Sequence, residues 1–388
     1  MESLAAAIID LDAFAHNVRL LGKLNSAPHM MAVVKADAYG HGAAVIAISA
    51  IENGADRLAV ARLSEAILLR KAGIKVPILL FGYTPPSTVK EILEYQITIA
   101  VHSYDSAKAL SDCAQRCGAV IKIHVKVDTG MGRLGLVTFS SDHEQPDMMN
   151  KNLYKAEKEI LDMARLPGIQ VEGIFTHFAN ADRQDKQHAE QQFSIFSNLL
   201  RMLKKSGLEI PIRHAANSAA TISMPQTHLD MVRPGIAMYG LWPSNLVEHQ
   251  YVDLRPVMTL SSQIVQIKEV PAGFRVSYGS TYETVTPTRI ATVAIGYADG
   301  LNRMLSSKGC VLINGQRCPI IGRVCMDYIM TDISLAPQAS EGDEVVVIGR
   351  QKDQCIYAEE LAFLTSTINY EVVTSISPRV ERIYKCKS

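Results

Sequence analysis

The chain has 388 residues, 48% hydrophobic and 20% charged, with 39 basic and 39 acidic side chains. Balanced, scattered charge carries no electrostatic footprint for nucleic acid or an anionic membrane, and no apolar run is long enough to span a bilayer. The length accommodates a large core and two domains. Seven cysteines make an odd count. Cys113 and Cys117 lie close together, but no second pair follows at zinc-ribbon spacing, so no metal site is expected. Reduced thiols in a cytoplasmic protein are the expectation.

The first apolar run, MESLAAAIIDLDAF, lacks a basic start and is interrupted early by acids. It reads as a strand, not a signal peptide. Strand-like runs then alternate with helical segments: MMAVVKA, RLAVAR, VPILLFG, ITIAVH, IKIHVKVD, VEGIFTHF, IRHAANS and MVRPGIAMYG. The clearest helix runs from Lys186 to Lys205, with Phe193, Phe196, Leu200 and Leu203 at helical spacing and Gly207 closing it. About eight such units predict an α/β fold, a (β/α)8 barrel over residues 1–245, with the first few residues assignable to either domain. Between Thr138 and Lys158 a polar insertion shows no apolar period and reads as a surface excursion. From residue 246 to 388 short β-rich runs take over, among them LSSQIVQIKEV, TRIATVAIG, CVLINGQRCPIIG and DEVVVIG, and predict a mainly β domain.

Polar residues gather at the predicted ends of the barrel strands, where barrels place their chemistry. Lys35 and Tyr39 end the first strand, Asp128 to Arg133 follow the fifth, and His177 ends the sixth. Asn217 and Ser218 end the seventh; Arg233, Gly235 and Ile236 are read into the eighth. A lysine at the end of an apolar strand is either snorkelling to solvent or held there for covalent chemistry. Gly235 and Ile236 taken alone form an ordinary glycine turn; beside Ser218 they form a phosphate cradle. Arg133, in DTGMGRLG, is either a surface residue or a carboxylate clamp. His177 reads equally as a core histidine, and Tyr278, Tyr297 and Cys325-Met326-Asp327 as ordinary sheet and turn residues.

Taken together, AVVKADAYGHG, HVKVDTGMGRLG, THFANAD, HAANSAA, RPGIAMYG, VSYG, IGYADG, GRVCMD and NYEV occur in one order over nearly the whole chain. In this the chain resembles the alanine racemases, pyridoxal-phosphate enzymes with a barrel and a C-terminal β domain. The resemblance implies that Lys35 carries pyridoxal 5'-phosphate and serves as one base, and that Tyr278 of a partner subunit is the other. It places Arg233 at the pyridine nitrogen. Tyr39, Ser218, Gly235, Ile236 and Tyr370 fall at the phosphate, with His177 and Asn217 beside the cofactor. Arg133 and the Met326 backbone hold the substrate carboxylate, Tyr297 lines the entrance, and Cys325 and Asp327 flank Met326. Lys126 carries a carbamate that orients Arg133, and His177 and Arg233 form a cationic hydrogen-bonded chain. The implied function is interconversion of L- and D-alanine for cell-wall peptidoglycan by a cytoplasmic homodimer with shared sites. A broader racemase acting on serine or lysine keeps every motif, and an amino-acid decarboxylase shares the scaffold. Decarboxylases, however, place an acid where this chain has Arg233, and a non-catalytic cofactor carrier lacks the β domain. The chain departs from the family pattern in the insertion after Thr138 and around Phe81-Gly82-Tyr83, and neither departure removes a functional position.

Overall fold

A computed structural model describes residues 4–139, 146–244, 246–247 and 252–386. Eight parallel strands form a nearly closed barrel: His29–Val33, Arg57–Val60, Ile78–Leu80, Thr98–Val101, Ile121–Asp128, Ile169–Phe175, Ile212–His214 and Met231–Val232. The last pairs with the first. The ladder is open only between the seventh and eighth strands. There, single bonds from Asp230 N–H to the Arg213 carbonyl at 3.1 Å and from Arg233 N–H to the Ala216 carbonyl at 3.0 Å bridge the seam. Runs such as Leu58-Ala59-Val60 and Ile78-Leu79-Leu80 are apolar throughout and fully buried, as strands covered on both faces must be.

Outer helices start on side-chain caps where the sequence supplies them. Asp10 accepts from Ala13 N–H at 2.9 Å and Ser103 from Ser106 N–H at 3.2 Å, each satisfying a donor that the helix itself cannot. The helix Gln187–Lys205 buries Ala189, Gln192, Ile195, Phe196, Leu199 and Leu203, with Phe193 and Leu200 on the flanks.

Two readings need correction. The polar excursion does not reach Lys158: a helix, Pro146–Ala164, begins inside it and buries Leu153, Ala156, Ile160 and Met163. The polar face of its first two turns hid the period; the part of the insertion from 140 to 145 lies outside the described residues. Arg233, Gly235 and Ile236 are not in the eighth strand, which ends at Val232. They follow it, and Ile236–Tyr239 is a short 3-10 turn.

The second sheet has nine strands. Its centre is the long strand Met258–Val270, paired with Glu344–Gln351, Thr288–Val293 and Ala6–Asp10. Ala6–Asp10 also pairs in parallel with Glu381–Lys385. The run that precedes the barrel therefore lies in the β layer, beside a strand from the far end of the chain.

Candidate functional site

Lys35 opens a turn of unusual hand. Ala36, Asp37, Ala38 and Tyr39 all have φ between 51° and 54°, followed by Gly40 at 82°. Each non-glycine residue in that region costs roughly 1–2 kcal/mol, so the turn stands only because neighbours hold it. Ala36 N–H donates to Glu65 Oε1 at 2.6 Å, and Ala43 N–H to Asp37 Oδ1 at 2.7 Å. The buried His41 Nδ1–H donates to the Tyr39 carbonyl at 2.9 Å, and Arg382 Nε–H to the Gly40 carbonyl at 3.1 Å. The result fixes Lys35 and Tyr39 on one rigid element at the barrel mouth.

That mouth contains a cavity of about 600 Å³, in the size range of small-molecule sites. Eleven of the residues singled out in the sequence line it: Lys35, Tyr39, Lys126, Arg133, His177, Asn217, Ser218, Arg233, Gly235, Ile236 and Tyr370. Four are cations, against one lining carboxylate, Asp182, among the described residues. Desolvation and the Arg133 charge lower the Lys35 pKa, opposed by Glu65. Lys126 drops to about 8 through burial, with Arg133, Arg233 and Lys35 adding repulsion. The loop carrying Arg133 is wound on Asp128, whose carboxylate accepts from the N–H groups of Gly130, Met131, Gly132 and Arg133 at 2.8–3.1 Å. Burial pushes that carboxyl up, but the four backbone donors outweigh it.

Arg233 is 3% exposed. Its Nη atoms donate to the carbonyls of Thr176 at 2.9 Å and Ala215 at 3.0 Å, to His214 Nδ1 at 3.0 Å and to His177 Nδ1 at 3.3 Å. Its Nε–H has no protein partner among the described residues. Burial lowers its pKa to about 9, which leaves it charged at neutral pH. Arg233 and His177 are thus joined by a hydrogen bond; burial and the cations Arg233, Arg133, Lys126 and Lys35 hold His177 well below its ordinary pKa, so the charge of the pair stands on Arg233.

In the same cavity lining, Ser218 Oγ accepts from Gly235 N–H at 2.8 Å and Ala237 N–H at 3.3 Å. A Cβ at residue 235 would sit 2.6 Å from the Tyr39 hydroxyl, so only glycine lets backbone and phenol meet there.

Tyr278, Tyr297, Cys325, Met326 and Asp327 do not line this cavity. They form a second group on the β domain. Tyr297 N–H donates to the Cys325 carbonyl at 2.9 Å, and Ala298 N–H to the Met326 carbonyl at 3.0 Å. Ser277 Oγ–H donates to the Arg323 carbonyl at 2.7 Å, and Arg379 pairs with Asp327 at 2.8 Å. Tyr278 is 72% exposed. Sequence reasoning gave no role to Glu65, Phe81, Phe175, His124 or His214. The two histidines open the motifs HVKVD and HAANSAA, which was the available signal. Glu65 lies on a helix with nothing in its surroundings to mark it.

Two family models cover the chain: alanine racemase, N-terminal domain, matches residues 9–243, and alanine racemase, C-terminal domain, residues 257–384. A protein of Desulfosudis oleivorans named alanine racemase is 50% identical over 381 residues, covering 98% of this chain and 96% of its own. The solved alanine racemase of Clostridium difficile 630 superposes with a TM-score of 0.90 at 38% identity, over 99% of this chain and 96% of that one. The alanine racemase structure from Bartonella henselae with covalently bound pyridoxal phosphate gives 0.85 at 31% identity, over 99% and 100%. With two family models spanning both sheets and a relative half identical along its length, the chain belongs to the alanine racemase family.

Proposed function

We propose that this chain interconverts L- and D-alanine with pyridoxal 5'-phosphate, and that two copies share their sites. The observation that carries the reading is that Lys35, held on a turn at the barrel mouth, lines one cavity with Arg133 and with the buried Arg233 and Lys126. The residues fit the cofactor. Ser218, Tyr39, Tyr370 and Ile236 line the same cavity, and their hydroxyls and the Ile236 N–H are the donors that would hold a phosphate. The Nε–H of Arg233 is an unpaired donor suited to a neutral ring nitrogen. When bound, the cofactor supplies an aldehyde that joins an amine and a ring that draws off the electrons of the broken Cα–H bond.

The chain's own residues then divide the work. Lys35, whose pKa is lowered by desolvation and by Arg133, takes or returns the proton on one face of Cα. Tyr278 from the second subunit serves the opposite face. His177 accepts from Arg233 at Nδ1, so its proton is on Nε2 and is available to the Tyr278 oxygen. Arg133 pairs with the substrate carboxylate, aided by the Met326 N–H, and a carbamate on Lys126 pairs with Arg133. Because arginine does not release its proton readily, Arg233 would hold a ring nitrogen by donating a hydrogen bond without protonating it. The same arginine argues against a decarboxylase.

Two features support the shared site. Tyr278 and its neighbours are displayed on the β domain, apart from the cavity, and an open barrel mouth needs a cover to exclude water. The division near residue 245 fits the two family models, which end at 243 and resume at 257. A cytoplasmic supply of D-alanine for peptidoglycan is the corresponding biological role; among the described residues no helix is long and apolar enough to cross a membrane. The test is incubation with L-alanine in deuterated water. Loss of optical rotation with one deuterium at Cα and no carbon dioxide supports racemisation; carbon dioxide release, or no exchange at all, overturns it. Catalytic efficiency across a panel of L-amino acids, serine and lysine included, fixes the substrate breadth.

A further inference from the structure

Arg233 is the upper end of a buried chain that runs down through the barrel. Its Nη1–H donates to His214 Nδ1 at 3.0 Å. His214 Nε2 and His124 Nδ1 are 2.8 Å apart, and His124 Nε2 lies 3.3 Å from Glu172 Oε2. Glu172 in turn pairs with Lys122 at 3.1 Å and Arg57 at 3.4 Å, near the barrel floor. Both ends dictate the same polarity. An arginine only donates and a carboxylate only accepts. His214 must therefore accept at Nδ1 and donate from Nε2, and His124 must do the same. Every proton in the chain points away from the mouth.

The backbone is shaped for this chain. The pairing of Ile121–Asp128 with Ile169–Phe175 slips register between Ile123 and His124, and a bulge re-aims a side chain. Gly173 lies against the His124 ring, where an added Cβ would be 2.6 Å from Nδ1. The Phe175 ring stacks flat on His214, centroids 4.8 Å apart at 6°, and Arg233 lies 5.5 Å over the same ring. Both imidazoles are fully buried, so their polar atoms need partners.

We infer that His214, His124 and Glu172 are positioning residues for Arg233, which couple a carboxylate at the barrel floor to the guanidinium at the mouth and so set its orientation and donor strength toward the cofactor ring. The inference rests on the reading that Arg233 meets that ring. Hydrogen bonds in such a chain polarise one another in a low-dielectric interior, and partners behind a functional group commonly change activity by roughly 10- to 100-fold when removed.

The first test is nitrogen-15 NMR of histidine-labelled protein, with and without cofactor, the signals assigned by their loss in His124→Asn and His214→Asn. Both rings are expected protonated at Nε2 and bare at Nδ1 even in the cofactor-free protein; a proton on either Nδ1 overturns the chain. The second test is His124→Leu, which leaves the His214 donor without an acceptor. It is expected to lower kcat by roughly 10- to 100-fold with little change in KM and to shift the visible absorption of bound cofactor. His124→Asn, which keeps an amide acceptor and donor, regains part of both. Glu172→Gln, which removes the charge but keeps the shape, gives a smaller change in the same direction and serves if His124→Leu does not fold. Unchanged spectrum and kcat in folded His124→Leu and Glu172→Gln overturn the inference. Arg233→Lys separates the two levels: if it alone alters the spectrum, the chain below it is merely structural and the inference falls. If Arg233→Lys is silent too, the reading of Arg233 at the ring falls with it, and the racemase assignment is then judged by exchange at Cα.

Discussion

Gly235→Ala probes the phosphate cradle with a single carbon. The new Cβ would lie 2.6 Å from the Tyr39 hydroxyl and 3.3 Å from Cζ of the same ring. Ordinary contact begins near 3.4 Å, so the phenol must retreat by about 0.8 Å. It has little room: the Tyr239 ring centroid is 4.9 Å away and that of Tyr370 6.1 Å. Overpacking of this kind costs about 1–3 kcal/mol of stability. Moving the hydroxyl off the phosphate forfeits a hydrogen bond to a charged group, about 1.5–3 kcal/mol, or roughly 10- to 150-fold in cofactor affinity. Cofactor binding to the cofactor-free variant is followed by absorbance, and stability by thermal unfolding without cofactor. Tyr39→Phe removes the offending oxygen. Gly235→Ala should therefore cost about 1 kcal/mol less in the Tyr39→Phe background than in the parent, a coupling within the usual range for touching residues. The cycle cancels whatever the backbone at 235 costs by itself. Equal cost in both backgrounds, or affinity within about twofold of the parent, would refute the cradle.

Lys35→Ala should abolish borohydride fixation of cofactor to protein; persistent fixation after digestion and mapping would assign the attachment elsewhere. Lys126 has a pKa of about 8, so at pH 7.4 about 20% of it is neutral, against under ~0.1% for an ordinary lysine. Its neutral amine attacks carbon dioxide, forming a C–N bond and releasing a proton. A carbon-13 carbamate signal from labelled bicarbonate should accordingly grow as pH rises through 8 and vanish in Lys126→Ala, whose lost activity short carboxylic acids partly restore. No such signal in fully active protein would exclude the carbamate. For the shared site, Lys35→Ala and Tyr278→Ala proteins are mixed under subunit exchange. Random reassociation makes about half the dimers mixed, with one intact site in each, so roughly a quarter of all sites recover. Activity near zero after verified exchange would place both residues in one subunit's site.

The barrel was legible because burial on both faces leaves strands such as Ile78–Leu80 wholly apolar, and because turn residues punctuate them. The mouth was legible because its polar side chains follow shortly after strand ends, as Lys35 follows Val33 and His177 follows Phe175. Two things were hidden. The helix Pro146–Ala164 opens on the polar sequence PDMMNKN, and its apolar stripe is readable only from Leu153 onward. The hand of the Lys35 turn is invisible in AVVKADAYGHG, since of Ala36, Asp37, Ala38 and Tyr39 only Asp37 is of a type that tolerates positive φ. Tertiary bonds from Glu65 and Arg382 impose it, and those partners are remote in sequence. The contact between His124 and His214 is likewise beyond reach of either strand's sequence, since it comes from strand packing and a register shift at His124.

The bond from Arg382 to the Gly40 carbonyl joins positions 342 residues apart, and the strand that carries Arg382 lies beside the strand Ala6–Asp10. During synthesis the barrel sequence emerges long before this brace exists. Until then the strained turn beneath Lys35 lacks one of its supports, and the strand Ala6–Asp10 waits with an open edge. In a nascent chain that ends within the β domain, Lys35 is already in the sequence while the turn beneath it still lacks the Arg382 brace.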